Sequence, residues 1–272
     1  MTRPLDISVV IPARDEIAAL APLIQGVGQA LAGRAFEVIV VDDGSTDGTP
    51  HALGALQARH PWLFWARNDT AWGQSAAIRR GVRMARGAIV VTLDGDGQNP
   101  PDQIPALLAP FAAAGSDALG LVQGERVGRR DTALKRRASR AANAIRRALL
   151  RDGVRDSGCG LKAFRREAYL DLPWFDHIHR FMPAMMLREG WHVVSVPVTH
   201  RDRQGGVSKY GVVGRGLVGI PDLLGAAWLI RRAGPPRHPR APGQTDQAAT
   251  AAARPAPPTG DLHVSSESLP KA

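Results

Sequence analysis

Short runs of β-branched residues alternate with helical segments along the first half of the chain, and this alternation constrains the fold more than any other feature. Two such runs occupy residues 7–11 and 37–41, and an Ala- and Leu-rich segment of helical spacing, residues 17–31, lies between them. A strand, a helix and a second strand of these lengths predict a βαβ unit with parallel strands. We therefore expect an α/β fold around a mostly parallel, Rossmann-like sheet.

The alternation continues along the chain. Further strands are expected over residues 63–66, 88–93 and 191–201, and further helices over residues 47–60, 76–86 and 103–114. Ser75 is of a type that caps helices, and it is expected to cap the helix at 76–86. Because the carboxyl ends of parallel strands meet at one edge, the polar clusters that follow the strands are expected to lie together there, where open α/β sheets bind ligands.

Two aspartates separated by single glycines follow the strand expected over residues 88–93. Asp94, Asp96 and Gln98 alternate, so in an extended chain their side chains point to the same side. Carboxylate and amide oxygens suit Mg²⁺ or Mn²⁺, which complete their coordination with water and substrate phosphates. The motif predicts a divalent-metal site, and a polar loop with Asx turns is the alternative that the residues alone leave open.

Polar residues also follow the first two strands. Pro12, Arg14 and Glu16 come after the first strand, and Asp43 comes after the second. An acid at this edge can accept hydrogen bonds from a ribose hydroxyl or a base, whereas helix capping by Ser45 is the structural alternative. The sequence has no G-x-G-x-x-G after the first strand and no Walker lysine loop, which argues against a dinucleotide oxidoreductase and a P-loop NTPase.

The formal charge of +10 indicates an anionic partner, which charge alone leaves open between nucleic acid, a phospholipid surface and a phosphorylated substrate. Arginines and lysines crowd residues 126–155, where apolar residues repeat at intervals of three and four. This pattern predicts a helix with one packing face and an otherwise basic surface. The expected packing face consists of Leu134, Ala138, Ala141, Ile145 and Leu149.

The chain has one cysteine, Cys159, which excludes an intrachain disulfide and indicates a reducing compartment. We expect this cysteine to be a small packed residue rather than a nucleophile, because the local sequence offers it no histidine partner. The eight histidines show no spacing typical of metal ligands, and those at positions 177, 179, 192 and 200 are expected to be structural or surface groups.

The most hydrophobic late segment, residues 212–230, is interrupted by Arg215, Pro221 and Asp222. This composition suits a helix that lies in a membrane interface better than one that crosses the membrane. Its expected apolar face consists of Val213, Leu217, Ile220, Leu224 and Trp228. We expect a domain at residues 1–210, an amphipathic interface helix at 211–232 and a disordered Pro- and Ala-rich tail at 233–272.

Several motifs together resemble the inverting, nucleotide-sugar-dependent glycosyltransferases of family 2, and within them the dolichol-phosphate mannosyltransferase-like enzymes that act on polyprenyl phosphates. In the family's order, the matching segments are VVIPARDE, VVDDGSTDGT, residues 68–77, LDGDGQNPP, KRRASRAAN, DSGCGLKAFRRE and HRDRQGGVSKYG. The resemblance covers about residues 5–230 and implies the GT-A (nucleotide-diphospho-sugar transferase) fold. It also implies Mg²⁺ or Mn²⁺ as cofactor.

The resemblance implies roles for individual residues, position by position. The nucleotide-sugar pocket would be lined by Pro12, Arg14, Glu16, Val41, Asp43, Asp94, Gly95 and Asp96. The metal ligands would be Asp94, Asp96 and Gln98, and the catalytic set would be Asp96, Arg126, Arg203 and Lys209. The acceptor phosphate would lie near Lys135 and Ser139. Arg14 departs from the family's usual tyrosine and Asp15 from its asparagine, so base stacking at this point differs.

The reaction that the resemblance implies moves a hexose, with mannose favoured, from GDP-mannose or a UDP-hexose to a dolichyl or undecaprenyl phosphate. It would take place on the cytoplasmic side of a membrane to which the protein is peripherally attached. The metal and basic residues would stabilise the negative charge that develops on the departing diphosphate. A polyprenyl phosphate is already ionised near neutral pH, so it needs no general base.

Two alternatives remain at this point. A family 2 enzyme could instead act on a sugar hydroxyl of a cell-surface polysaccharide, although DSGCGLKAFRRE and the SKY loop favour the phosphate acceptor. A nucleic-acid-binding protein would account for the arginine-rich stretch. That stretch has no interleaved aromatic residues and the hypothesis leaves Asp94 and Asp96 unexplained, so no nucleic-acid partner is expected.

Overall fold

The computed structural model of the chain describes residues 6–113, 116–127, 144–201 and 212–235. Seven strands in this part form one sheet in the order β3-β2-β1-β4-β6-β5-β7. The strands are β1 (Ile7–Ala13), β2 (Phe36–Asp42), β3 (Leu63–Arg67), β4 (Ile89–Thr92), β5 (Leu119–Arg126), β6 (Lys162–Arg165) and β7 (His192–Val198). β6 runs antiparallel to β4 and β5, and the other neighbouring strands are parallel. The expected mostly parallel α/β sheet is confirmed.

Helices connect the strands and cover both faces of the sheet. They are α1 (Ile17–Ala30), α2 (Thr49–Arg59), α3 (Gln74–Met84), α4 (Ile104–Ala112), α5 (residues 144–150), α6 (Arg166–Leu170), α7 (Met182–Arg188) and α8 (Val212–Arg231). Single 3-10 turns occupy Pro101–Gln103, Ser116–Ala118 and Ile178–Arg180. The first four helices lie where the sequence predicts them, within a few residues at each end.

Two apolar clusters form the core, one on each face of the sheet. In β1, Val9 and Ile11 belong to the first cluster and Val10 belongs to the second, because successive side chains of a strand point to opposite faces. Buried residues of α1, α2 and α4 complete the first cluster, and those of α3, α6, α7 and α8 complete the second. The carboxyl ends of β1, β2 and β4 are thereby left open at one edge.

The start of α3 differs from the prediction. Gly73, not Ser75, is the N-cap residue. Its φ of 92° is a backbone conformation that residues other than glycine rarely adopt. Ser75 lies in the first turn of α3, fully buried, and its Oγ is 2.7 Å from Nδ1 of His179. The expectation that Ser75 caps this helix is wrong, because its hydroxyl is bonded to the turn Ile178–Arg180 rather than to the helix backbone.

A buried carboxylate ties the end of α3 to β1 and β2. Glu37 is 2% exposed, and its Oε1 accepts hydrogen bonds from Ser8 Oγ and from the backbone N–H of Arg86, both at 2.7 Å. Arg86 Nε donates to Oε2 of the same carboxylate at 2.8 Å. These contacts fix the direction in which the chain leaves α3 and enters β4.

The apolar positions expected to pack in the basic helix are exposed where the structure describes them. Ile145 is 58% and Leu149 is 37% exposed in α5, whereas Arg146 and Leu150 are buried. The expectation of a packed apolar face is therefore wrong for Ile145 and Leu149. Arg146 turns inward because its guanidinium pairs with Asp152. The remaining members of that face lie outside the described residues.

The last helix, α8, packs against the second cluster on one side only. Ala226 and Ala227 are buried, while Ile220, Leu224 and Trp228 are 54%, 59% and 59% exposed. These three exposed residues belong to the apolar face that the sequence predicts. No helix within the described ranges combines the length and the apolar character that a membrane crossing requires. Almost all of the tail expected to be disordered, from residue 236 on, lies outside the described residues.

Candidate active site

A cleft of about 530 Å³ opens at the carboxyl edge of the sheet. Its walls come from the end of β1, the loop before α3, the end of β4, the loop before β6 and the segment that contains the turn Ile178–Arg180. The chemically active side chains that line it are Arg14, Trp72, Gln74, Asp94, Cys159, Lys162, Asp176, His177, His179 and Arg180. The position matches the ligand-binding edge of open α/β sheets.

The acidic motif after β4 forms a turn rather than an extended segment. β4 ends at Thr92, and the backbone N–H of Gln98 donates to Oδ1 of Asp96 at 3.1 Å, which closes an Asx turn. Gly97 has a φ of 73°, which also departs from a strand. The expectation that the two aspartates and Gln98 alternate in an extended chain is therefore wrong, because the carboxylate of Asp96 accepts a hydrogen bond from the backbone of Gln98 and closes a turn.

Asp94 is held in place by contacts from three other parts of the chain. Gln74 Nε2 donates to Oδ1 of Asp94 at 2.8 Å. The backbone N–H of Asp94 donates to Oδ1 of the buried Asn99 at 3.0 Å. A Cβ on Gly160 would overlap the Asp94 carboxylate, so only glycine permits this close approach. The side chain therefore enters the cleft in a fixed orientation.

The electrostatic setting of Asp94 suits a cation. Burial and the nearby charge of Asp96 raise the pKa of Asp94 to about 6, although Lys162 and Arg126 act in the opposite direction. A shared positive charge would offset the repulsion between the two carboxylates, and their hard oxygens suit Mg²⁺ or Mn²⁺. Within the described ranges, no three His, Cys, Asp or Glu residues group together as a metal site. The two carboxylates would therefore need Gln98, water or substrate oxygens to complete the coordination.

Asp43 organises the loop that forms one cleft wall. Its Oδ1 accepts hydrogen bonds from Asn68 Nδ2 at 2.7 Å and from the backbone N–H of Trp72 at 2.9 Å. Its Oδ2 accepts from the backbone N–H of Gly73 at 2.8 Å. Both oxygens of this buried carboxylate are thus bonded to the loop before α3. Its expected place in the nucleotide pocket stays a prediction.

The other residues expected in the nucleotide pocket are spread over the end of β1 and β2. Arg14 is exposed and lines the cleft, and Pro12 pairs in register with the fully buried Val41. A Cβ on Gly95 would lie 2.8 Å from the carbonyl oxygen of Pro12, so this glycine lets the acidic turn approach β1. Glu16 is the N-cap residue of α1. Of these residues, the structure brings only Arg14 into the cleft lining beside Asp94.

Arg126 is paired within the protein. Its Nε and Nη2 donate to the two carboxylate oxygens of Asp156 at 2.7 and 2.8 Å, a bidentate ion pair. Asp156 opens the loop that carries Gly158, Cys159 and Gly160 into the cleft wall. The other basic and acceptor positions, Arg203, Lys209, Lys135 and Ser139, lie outside the described residues.

Besides Asp176 and Arg180, five cleft residues received no functional role from the sequence. Gln74 and Lys162 stand inside quoted motifs, and Trp72 precedes Gln74 in one of them. His177 and His179 were expected to be structural, yet both line the cleft. His177 Nδ1 also lies 2.7 Å from Asp222 Oδ2 on α8. The motif membership of Gln74 and Lys162 was the signal that could have identified them, whereas the two histidines gave no such signal.

Comparisons with known proteins agree with this geometry. A model of the family described as glycosyl transferase family 2 matches residues 8–172. A dodecaprenyl-phosphate galacturonate synthase of Rhizobium johnstonii is 32% identical over 240 residues, which cover 86% of this chain and 70% of the relative. The chain therefore belongs to glycosyl transferase family 2, as the sequence motifs indicate.

A second curated relative is an undecaprenyl-phosphate 4-deoxy-4-formamido-L-arabinose transferase of Pseudomonas paraeruginosa, which is 37% identical over 217 residues. The match covers 77% of this chain but 62% of that relative, so the chain spans less than two thirds of its length. The names of both relatives include a polyprenyl phosphate, as expected for the group of enzymes that the motifs resemble.

The GT-A fold is confirmed by solved structures. A glucosyl-3-phosphoglycerate synthase of Mycobacterium tuberculosis, crystallised with Mn²⁺, UDP and glucosyl-3-phosphoglycerate, superposes with a TM-score of 0.61. The two chains are 22% identical, and the match covers 84% of this chain and 80% of the other. A crystal of the same enzyme contains Mg²⁺ and UDP. At this identity the likeness establishes the fold alone.

Proposed function

We propose that this glycosyltransferase moves a sugar from a nucleotide diphosphate to a polyprenyl phosphate at a membrane surface. The observation that carries the proposal is the placement of Asp94, fixed by Gln74 and Asn99, in a cleft that also presents the cations Arg14, Lys162 and Arg180. A carboxylate that can hold a metal ion and cationic side chains that can bind phosphates lie in one cleft. This combination suits a reaction between two phosphorylated substrates. The names of both curated relatives support the polyprenyl phosphate acceptor.

Asp94, Asp96 and Gln98 would hold Mg²⁺ or Mn²⁺, which supplies neutralising charge for the departing diphosphate. The protein's own contribution is orientation. Gln74 and Gly160 fix the Asp94 carboxylate, and the acceptor phosphate needs no base because it is already ionised. The basic residues Arg126, Arg203 and Lys209 and the acceptor positions Lys135 and Ser139 keep the roles that the family resemblance implies.

The identity of the donor sugar is a separate question from that of the acceptor. The family resemblance favours mannose from GDP-mannose, whereas the two curated relatives are named for 4-deoxy-4-formamido-L-arabinose and galacturonate. A UDP-sugar is therefore as good a candidate as GDP-mannose. Arg14 takes the place of the family's tyrosine at the cleft, so a base would meet a guanidinium there instead of a phenol ring.

Attachment to the membrane is proposed to be peripheral and cytoplasmic, through α8. Its exposed apolar residues Ile220, Leu224 and Trp228 recur at intervals of four, and Arg231 and Arg232 follow at its end. Interface helices typically place apolar side chains at the boundary of the acyl chains and arginines near the anionic headgroups. His177 and Asp222 connect this helix to the cleft wall.

A donor and acceptor panel tests the proposal. The purified protein is incubated with Mn²⁺, undecaprenyl phosphate in vesicles and, in turn, radiolabelled GDP-mannose, UDP-glucose and UDP-galacturonate. Label from at least one donor is expected in a lipid-extractable, acid-labile product. If label enters an added polysaccharide and never the lipid, the alternative of a sugar-hydroxyl acceptor is correct instead.

A further inference from the structure

Lys162 is a buried cation whose charge the fold does not neutralise by direct contact. It begins β6, is 3% exposed and lines the cleft. Its Nζ donates to the carbonyl oxygen of Ser157 at 3.2 Å and to that of Cys159. In the described part of the chain, no carboxylate forms an ion pair with Nζ. Burying an ammonium group costs several kcal/mol unless an anion accompanies it.

The nearest compensation comes through space from the acidic side of the cleft. Burial lowers the pKa of Lys162, and the negative charges of Asp94 and Asp156 are among those that act in the opposite direction. Asp156 is already engaged in its bidentate pair with Arg126. A metal ion at Asp94 would take up the remaining negative charge, so Lys162 would then need another anion close to the metal.

The hydrogen-bonding capacity of Lys162 also indicates that it needs an anion in the cleft. An ammonium group has three N–H donors, and two of them are directed to the carbonyl groups of Ser157 and Cys159. Carbonyl groups satisfy donors but carry no net charge. A strand that only needed to anchor this loop could use a neutral donor, which would avoid the cost of burying a charge.

We propose that the ammonium group of Lys162 binds a phosphate oxygen in the cleft, beside the candidate metal ligand Asp94. The inference deepens the proposed function and rests on it for the identity of the phosphate. That phosphate is either the diphosphate of the donor or the phosphate monoester of the acceptor. Lys162 is then a substrate-binding residue, although no role for it follows from the sequence motifs.

Two substitutions at this position separate charge from volume. Lys162→Met keeps a long unbranched side chain without the charge, and Lys162→Arg keeps the charge. Arg165→Met is the matched control, since Arg165 lies at the other end of β6 and its Nε also donates to a carbonyl, that of Leu119, at 3.0 Å. Binding of inorganic pyrophosphate with Mn²⁺ is measured by calorimetry for the full chain, which requires no turnover.

If Lys162 binds the donor diphosphate, Lys162→Met weakens pyrophosphate binding at least about 10-fold, the effect of losing one charge-assisted hydrogen bond. Lys162→Arg is expected to restore most of it, and Arg165→Met to leave it unchanged. If Lys162 binds the acceptor instead, pyrophosphate binding stays normal and the KM for undecaprenyl phosphate rises about 10-fold. Because the first measurement needs no product, it stands even if sugar transfer to the lipid is never observed.

The single cysteine reports whether the loop itself has collapsed. Cys159 is fully buried, so its thiol is expected to react slowly with a thiol reagent in the wild type and in Lys162→Met alike. Fast labelling in Lys162→Met, together with lost binding, would mean that Lys162 only anchors the loop, and would overturn the proposal. Unchanged pyrophosphate binding with unchanged acceptor KM would overturn it as well.

Discussion

At the scale of single residues, the site depends on carboxylates whose orientation is fixed by backbone and amide groups. Asp94 and Asp43 both follow strands at the same edge, but their surroundings differ. Asp94 enters the cleft, while both oxygens of Asp43 accept hydrogen bonds from the loop before α3. The two residues are therefore expected to respond differently to the same change.

Replacing Asp94 with asparagine is expected to abolish activity without weakening the fold. Loss of a group that stabilises developing charge lowers kcat by about 100-fold or more. The raised pKa of Asp94, about 6, means that its ionised form is disfavoured in the folded state. In metal-free buffer at pH 7.5, Asp94→Asn should therefore be at least as stable to urea as the wild type, and the difference should shrink towards pH 4.

The control for this prediction is Asp102→Asn, because Asp102 is an exposed carboxylate outside the cleft lining. It should keep both the activity and the stability of the wild type. A marked loss of stability in Asp94→Asn at pH 7.5 would show that the acidic motif is a structural polar loop.

Asp43→Asn is expected to destabilise the protein instead. An asparagine amide cannot accept hydrogen bonds at both positions, so the backbone N–H of Gly73 or of Trp72 would face another donor. Leaving one such group unsatisfied costs about 1–3 kcal/mol of the free energy of unfolding. Asp69→Asn, an exposed change in the same loop, should stay within about 0.5 kcal/mol in the same urea titration. Equal stabilities of the two variants would contradict this role of Asp43.

The residues of the site show where sequence reasoning ends. The position of Asp94 after a buried strand was predictable, because a continuous apolar run ended there. Gln74 lies in a matching motif, but its contact with Asp94 was not predictable, since the two side chains meet only through the packing of α3 beside β1 and β2. Lys162 also lies in a matching motif, but its place beside the acidic turn was hidden for the same reason, because β6 pairs Lys162 with Thr92 of β4, which is far away in sequence.

At the scale of elements, local patterns predicted five of the seven described strands and the first four helices but missed β5 and β6. β1, β2 and β4 are buried β-branched runs followed by helices, so local sequence defines them. β6 has four residues and exists because it pairs antiparallel with both β4 and β5. Such pairing depends on the tertiary fold, which local sequence does not encode.

The turn Ile178–Arg180 is linked to α3 through His179, and this link predicts a pH dependence of stability. Burial of the ring lowers the pKa of His179 well below its usual value, and nearby positive charges act in the same direction. A depressed histidine stabilises the fold above the unfolded pKa, about 6.5, and this stabilisation is lost as the pH falls below it. Urea unfolding of the wild type should therefore weaken from pH 7 to pH 5.

The comparison variant is His179→Gln, which should lose part of that pH dependence. His51→Gln, an exposed histidine on α2, should keep the wild-type dependence. If the stability of His179→Gln to urea depends on pH as steeply as that of the wild type, the neutral, buried state of this ring does not contribute to the pH dependence.

The exposed face of α8 is expected to bind membranes without stabilising the fold. Leu224 and Trp228 are both 59% exposed, so the double change to glutamine should alter the free energy of unfolding by no more than about 0.5 kcal/mol per site. Each of the two side chains contributes about 1.5–3 kcal/mol if it enters the lipid. Affinity for vesicles with anionic phosphatidylglycerol should therefore fall more than about 10-fold in a sedimentation assay.

Ile17→Gln is the matched control, since Ile17 is 46% exposed on α1, which packs against the other face of the sheet. It should bind vesicles as the wild type does. Equal binding by the α8 double variant and the wild type would exclude α8 as the membrane contact.

At the scale of the whole molecule, the proposed function accounts for both the charge of +10 and the acidic turn. A membrane with anionic lipids, a phosphorylated acceptor and a diphosphate donor are all anions, and a basic protein attracts each of them. Within that positive field, Asp94 and Asp96 are proposed to form a local negative site for a cation. Sequence motifs were sufficient for the family and the fold, because an ordered set of segments is specific even when each segment is not.

The donor sugar could not be read in the same way, because specificity depends on how side chains from separate loops meet the sugar hydroxyls. Trp72, His177, His179 and Arg180 come from two different segments of the cleft wall and carry no shared motif. Their chemistry becomes visible only when the fold brings these segments together.

The most direct test of the account is transfer of label to a polyprenyl phosphate by the purified full chain. With Mn²⁺, undecaprenyl phosphate vesicles and a panel of labelled GDP- and UDP-sugars, one donor should yield a lipid-extractable product with the nucleoside diphosphate released in equal amount. Asp94→Asn should give none, and Asp102→Asn should match the wild type. The proposed function would be contradicted if no donor gave labelled lipid and if release of the nucleoside diphosphate depended instead on an added sugar hydroxyl.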